Sequence, residues 1–180
     1  MAGEKTSADK LNKTLIEVSN ILNKHNINEW FVMFGTLLGI VREGSCIDGD
    51  DDIDIMINFD YAELKNIFSQ EGLKFDTNRK SQNILKSLST NKYASFDFYM
   101  CEISKENNYY SPWQNVQVNN VSVVQKNWNN CNINLPNNAE EKLEKMYGKN
   151  WRTPVKYIHG QRGEFSDENS IYNTKLKFII

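Results

Sequence analysis

The chain has 180 residues, 21 lysines and arginines against 23 aspartates and glutamates, and a formal net charge of -2. That near-neutral balance gives no sign of a protein built around a nucleic-acid backbone or an anionic membrane surface, and the length suits one domain that buries a core without metal or disulfide staples. No stretch approaches the roughly 18 apolar residues of a membrane span, the start MAGEKTSADK has no apolar export core, and Cys46, Cys101 and Cys131 form no C-x-x-C pair. Free thiols in a reducing, cytoplasmic setting are therefore expected; peripheral contact with a membrane substrate stays compatible with all of this.

In residues 10–26, Leu11, Leu15, Val18, Ile21 and Leu22 recur at spacings of three and four, which predicts an amphipathic helix with Ser7 or Asp9 as its cap. Residues 30–34 are a short apolar run that ends at Gly35 and reads as a buried strand. The segment GTLLGIVRE then carries a short helical pattern with Leu37, Leu38 and Val41 facing inward. IDIMI at 53–57 predicts a strand whose polar edge emerges at one end. Asp60 and Glu63 form a capping box for the helix YAELKNIFSQEG, which Gly72 stops. Strands are expected at 73–79, 83–89 and 95–101; in the last, Asp97 and Tyr99 share one face and Phe96, Phe98 and Met100 the other. Residues 109–118 and 121–124 are expected to form a hairpin around Asn119-Asn120, and Asn137 or Asn138 to cap a last helix, AEEKLEKMYG, closed by Gly148. The asparagine-rich runs at 107–108, 119–120, 127–134 and 137–138 fall at turns and are too short for low complexity. The fold class is α+β (mixed α/β), with a single mixed sheet flanked by helices. One domain is expected over 1–180, its core at about 10–155 and a tail at 156–180.

Residues 48–55 read DGDDDIDI, five aspartates in eight positions. In an extended segment, Asp52 and Asp54 point to one face while Ile53 and Ile55 anchor the other. Such close carboxylates repel unless a cation sits between them or one keeps its proton. Oxygen-only ligands favour Mg²⁺ or Mn²⁺, and Asp97 is the best-placed third carboxylate. This set suits in-line phosphoryl transfer, with two metal ions clamping phosphate oxygens and the attacking group. An EF-hand is excluded because the twelfth position is Phe59 counted from Asp48 and Tyr61 counted from Asp50. Upstream, Gly35 and Thr36 open a helix, so free N–H groups and a hydroxyl can hold phosphate. Arg42 offers a donor fork, either for phosphate or for a salt bridge to an aspartate.

The stretch FGTLLGIVREGSCIDGDDDIDIMI resembles the signature of the LicD/fukutin-related family of the nucleotidyltransferase superfamily, and LPNNAEEKLEKMYGKNWRTP resembles that family's closing helix and Trp/Pro segment. The resemblance is strong over residues 28–60 and looser over 93–100 and 135–154. It implies a nucleotidyltransferase fold and the transfer of a phosphorylated headgroup, such as phosphocholine or a polyol phosphate, from a CDP-linked donor to a glycan hydroxyl, as in modification of a cell-surface polysaccharide. It gives Gly35 and Thr36 the glycine-plus-polar place, Asp52 and Asp54 the paired metal ligands and Asp97 the third acidic position. Asp50 and Asp51 belong to the family's run, to hold Arg42, orient the loop or touch the acceptor. Many relatives carry Pro-Trp before the triple aspartate where this chain has Asp48-Gly49, which opens the transferred group to something other than choline. The chain reads as a minimal core of the family without a separate acceptor-binding domain.

Lys126, His159 and Arg162 are further candidates to neutralise donor diphosphate, and Tyr93, Tyr99, Tyr109, Tyr110, Trp113, Trp128 and Trp151 are candidates for a pocket wall. Asp97 is the expected base for the acceptor hydroxyl. Two other readings remain open: transfer of NMP from an NTP to a small-molecule or sugar acceptor, and an inactive nucleotide- or glycan-binding module.

Overall fold

The computed structural model describes residues 5–78, 80–154 and 178–179. Helix α1, Ala8–Lys24, starts where the Ser7 side chain accepts a hydrogen bond from the Lys10 backbone. It buries Leu11, Leu15, Val18, Ile21 and Leu22. Strand β1, Trp30–Val32, is buried throughout and leads directly into α2, Phe34–Arg42. A loop carrying the aspartates returns to β2, Asp52–Ile57, and α3, Tyr61–Gln70, follows. The Asp60 carboxylate caps α3 by accepting from the Glu63 backbone N–H at 2.8 Å, and Gly72 leaves the helix at φ +83°.

Two more strands, β3 (Ile84–Lys86) and β4 (Ser95–Met100), complete a sheet of order β1-β2-β4-β3. Strands β2 and β4 run parallel, with Asp54 beside Asp97; β1 and β3 are antiparallel to their neighbours. One face is aromatic. Phe68 of α3 meets Phe96 at 5.7 Å and Phe98 at 5.0 Å between ring centroids, and Phe75 meets Phe96 at 6.1 Å. Burying each such ring contributes about 1.5–3 kcal/mol, and it leaves Asp97 and Tyr99 to the opposite face.

The expectation of a single mixed sheet is corrected, since the described residues form three. Strands β5 (Glu102–Ile103), β6 (Tyr109–Ser111) and β7 (Val116–Val118) build a second sheet, joined in parallel by β10 (Phe178–Ile179). Strands β8 (Val123–Trp128) and β9 (Cys131–Pro136) form a third, two-stranded sheet that packs beside β1 and α1. The reason is local. Asn129 and Asn130 both take positive φ, of 49° and 60°, making a two-residue turn that pairs Trp128 with Cys131. Such a turn matches strand twist and closes a hairpin on itself. The hairpin expected at Asn119-Asn120 therefore forms ten residues later, and residues 109–118 fold back around a 3-10 turn at Trp113–Asn115. Among the described residues of the strand expected at 73–79, only an isolated bridge from Phe75 to Ser87 is present.

Helix α4, Ala139–Tyr147, ends at Gly148 and packs against α2. Asn138 precedes it at φ 48° without a side-chain cap bond. All three cysteines are free and buried. Among the described residues, no helix is long and apolar enough to cross a membrane.

Gly39 lets the returning loop lie on α2: a Cβ there would come within 2.5 Å of the Ser45 carbonyl oxygen and 2.9 Å of the Ile47 nitrogen. Both are backbone atoms with little room to give. Gly39→Ala is expected to lower unfolding free energy by about 1–3 kcal/mol, measured by urea denaturation. Unchanged stability would mean that the loop does not need this approach.

Candidate active site

Three strands bring the site together in one row. Pairing sets Asp54 of β2 beside Asp97 of β4, and Asp97 beside Lys86 of β3. Asp52 lies two residues before Asp54 on the same face, as its period requires. One carboxylate oxygen from each of Asp52, Asp54 and Asp97 lies within 4.8 Å of the others. Beneath this row, Ile53 and Ile55 are wholly buried.

The Lys86 ammonium donates to Asp97 Oδ2 at 2.8 Å and to Asp52 Oδ2 at 3.2 Å. Burial alone would lower the lysine's pKa, but its hydrogen bond to Asp97 and the charges of Asp97 and Asp52 outweigh that and hold it above the usual range. The carboxylates move the other way. Burial, then the charges of Asp52, Asp97 and Asp50, push Asp54 well up, against a hydrogen bond from Tyr99. Asp52 is raised by burial and Asp51, with Lys86 opposing. Asp50 is pushed up to about 6, mainly by burial.

The aspartate loop is held from several sides. The Thr36 hydroxyl accepts from the Asp54 backbone N–H at 2.9 Å, which ties α2 to β2. Met33 N–H donates to the Asp54 carbonyl at 3.0 Å. The Asp50 carboxylate lies against the first turn of α2, where a Cβ on Gly35 would meet its Oδ2 at 2.5 Å. Thr6 bonds both ways, donating to the Asp50 carbonyl and accepting from Gly49, each at 2.9 Å. Ser95 Oγ donates to the Asp51 carbonyl at 3.1 Å, and Asp48 accepts from the Ala8 backbone at 3.0 Å.

The structure thus brings together Asp52, Asp54 and Asp97, with Asp50, Asp51, Gly35 and Thr36 around them. It sets Arg42 elsewhere. That guanidinium pairs with Glu43 and donates to the Trp151 carbonyl at 3.4 Å, fastening α2 near the end of α4. Lys126 is exposed on β8, in the hairpin beside β1. His159 and Arg162 lie outside the described residues. Of the aromatics, Tyr99 reaches the site, through its hydrogen bond to Asp54. Trp128 donates to the Gly44 carbonyl at 2.7 Å, Trp151 stacks under Arg152, and Tyr109 packs edge-on to Phe31.

Lys86 is the residue that sequence reasoning missed. Its signal is faint: a single lysine in NILKS, two positions from Ile84 in an expected strand. The donor set fits a divalent cation, since it consists of hard carboxylate oxygens suited to Mg²⁺ or Mn²⁺. A cationic side chain already stands among them.

The fold is shared with the lincosamide antibiotic adenylyltransferase LnuA, solved with lincomycin bound, at 10% identity and a TM-score of 0.51, over 78% of this chain and 86% of that one. The antibiotic-resistance factor ANT(2'')-Ia superposes at 14% identity and a TM-score of 0.50, over 68% of this chain and 63% of that one. No curated protein matches the sequence. The family model for the LicD/FKTN/FKRP nucleotidyltransferase domain matches residues 27–159, and the chain belongs to that family.

Proposed function

We propose that this chain is a metal-dependent transferase that moves a nucleoside monophosphate from a nucleoside triphosphate to a hydroxyl of a small-molecule or sugar acceptor. The observation that carries the reading is the carboxylate cluster of Asp52, Asp54 and Asp97, with oxygens within 4.8 Å of one another on the central sheet. Nucleotidyl transfer is supported by family membership and by the fold shared with LnuA, an adenylyltransferase.

Asp52 and Asp54 would hold one Mg²⁺ or Mn²⁺, and Asp52 with Asp97 a second. Bound there, divalent ions supply charge stabilisation to the phosphates and to the attacking oxygen. The residues of the chain do the rest. Thr36 fixes the Asp54 backbone, Tyr99 orients its carboxylate, and the first turn of α2 would offer its N–H groups to donor phosphate. Asp97 takes the acceptor proton. The acceptor oxygen bonds to the α-phosphorus as the bond from that phosphorus to the bridging oxygen breaks, and pyrophosphate leaves with its electron pair.

A second reading is favoured by the FGTLLGIVREGSCIDGDDDIDIMI signature. Here the headgroup phosphate of a CDP-linked donor, phosphocholine or a polyol phosphate, moves to a glycan or polyol hydroxyl, and CMP leaves. The same carboxylates serve both reactions.

Phosphorus-31 NMR of the protein with Mg²⁺, nucleoside triphosphates, CDP-linked donors and a panel of sugars and polyols separates them. Pyrophosphate with a new phosphodiester is expected; CMP with a new phosphodiester would transfer the conclusion to the second reading. Asp52→Asn and Asp54→Asn should each lower turnover by about 10²–10³-fold. Full activity in either would remove the metal centre from the mechanism.

The same carboxylates set a pH dependence. Asp50 rises from 3.8 to about 6 on folding, and Asp52 and Asp54 shift in the same direction. Across that window the folded protein keeps protons that the unfolded chain has released, so these groups make stability fall as pH rises. In EDTA, the thermal midpoint is expected to fall through that window and Mg²⁺ to restore it. Asp54→Asn should flatten the slope and stabilise the metal-free protein by about 1 kcal/mol at neutral pH. A variant that is less stable than the parent in EDTA would contradict the repulsion described.

A further inference from the structure

Lys86 is placed by the same register that builds the carboxylate row. It sits on β3, the three-residue edge strand of the central sheet, and its ammonium binds one oxygen of Asp97 and one of Asp52. The lysine side chain retains 28% exposure while those two carboxylates retain 6% and 17%. The lysine side chain is therefore more exposed than either carboxylate it neutralises. Asp54 is held differently, by the Tyr99 hydroxyl.

We propose that Lys86 is a resident counter-cation that stands in the Asp52–Asp97 position until a divalent ion displaces it, so that the centre loads in two unequal steps. This rests on the reading of the cluster as a metal centre. In this order a first ion takes Asp54 and the other oxygen of Asp52. The Asp52–Asp97 side becomes available only when the ammonium leaves. Lysine suits the task, as a compact point charge on a flexible four-carbon stem, and its edge-strand position and partial exposure give it a way toward solvent. Lys86 is then a positioning residue with two stations. In the metal-free protein it separates carboxylates that would otherwise repel; in the loaded protein it sits at the rim.

Mn²⁺ titration followed by electron paramagnetic resonance tests this on the full chain, with Lys86→Met and Lys86→Arg beside the parent. Lys86→Met is expected to bind Mn²⁺ about tenfold more tightly or better, the scale of a close charge pair, while melting at a lower temperature in EDTA. Lys86→Arg, which keeps the charge, should bind no more tightly than the parent. In the parent itself, Mn²⁺ should increase acylation of Lys86 by acetic anhydride, read by mass spectrometry, and this measurement stands even if Lys86→Met does not fold. Parent and Lys86→Met binding Mn²⁺ equally, or Mn²⁺ leaving Lys86 acylation unchanged, would overturn displacement and leave the metal centre intact. No Mn²⁺ binding by parent or variant would overturn both.

Discussion

The parallel register of β2 with β4 is the constraint on which the rest depends. It sets Asp54 beside Asp97, and the antiparallel register of β3 then adds Lys86 to the row. Two unit charges 4.8 Å apart repel by about 3 kcal/mol at an effective dielectric of about 20. A domain of this kind has only about 5–15 kcal/mol of net stability, so three ionised carboxylates without a cation would consume a large part of it. The fold tolerates the row because the opposite face is committed. Ile53, Ile55, Phe96 and Phe98 are buried there, and a one-residue slip of either strand would drive carboxylates into that apolar layer.

The five aspartates of residues 48–55 are not one feature but several. Asp48 completes the N-terminus of α1, Asp50 lies over Gly35, the Asp51 carbonyl anchors Ser95, and Asp52 and Asp54 face Asp97. Glycine at 35 serves a close approach by a carboxylate, and Thr36 serves the backbone of β2. Both help to shape the loop and strand that carry the carboxylates. Arg42 has a similar place farther out, joining α2 to Trp151.

Local chemistry was legible in the sequence wherever it was decided within one or two turns of chain. The caps at Ser7 and Asp60, the stops at Gly72 and Gly148, and the alternation of Phe96, Asp97 and Phe98 all appear where expected. The two paired aspartates and their third partner could be read because period two and a family signature both point to them. Division into three sheets could not. Asparagine pairs at 119–120 and 129–130 look alike in sequence, and only the longer flanking strands of the second pair make it the hairpin turn. Lys86 was hidden for a different reason: a lone strand lysine usually faces water, and its partners lie 34 and 11 residues away.

Thr6 exchanges backbone bonds in both directions with the loop at Gly49 and Asp50. The loop that carries the aspartates is thus laced to a segment more than forty residues earlier, outside the region 27–159 that the family shares. An affinity tag or fusion partner joined immediately before Thr6 would pull on that lacing, whereas a spacer of several flexible residues would not. The geometry of the aspartate loop is therefore coupled to the first described residues of the chain, through the Thr6 backbone and through the Ala8 N–H that donates to Asp48.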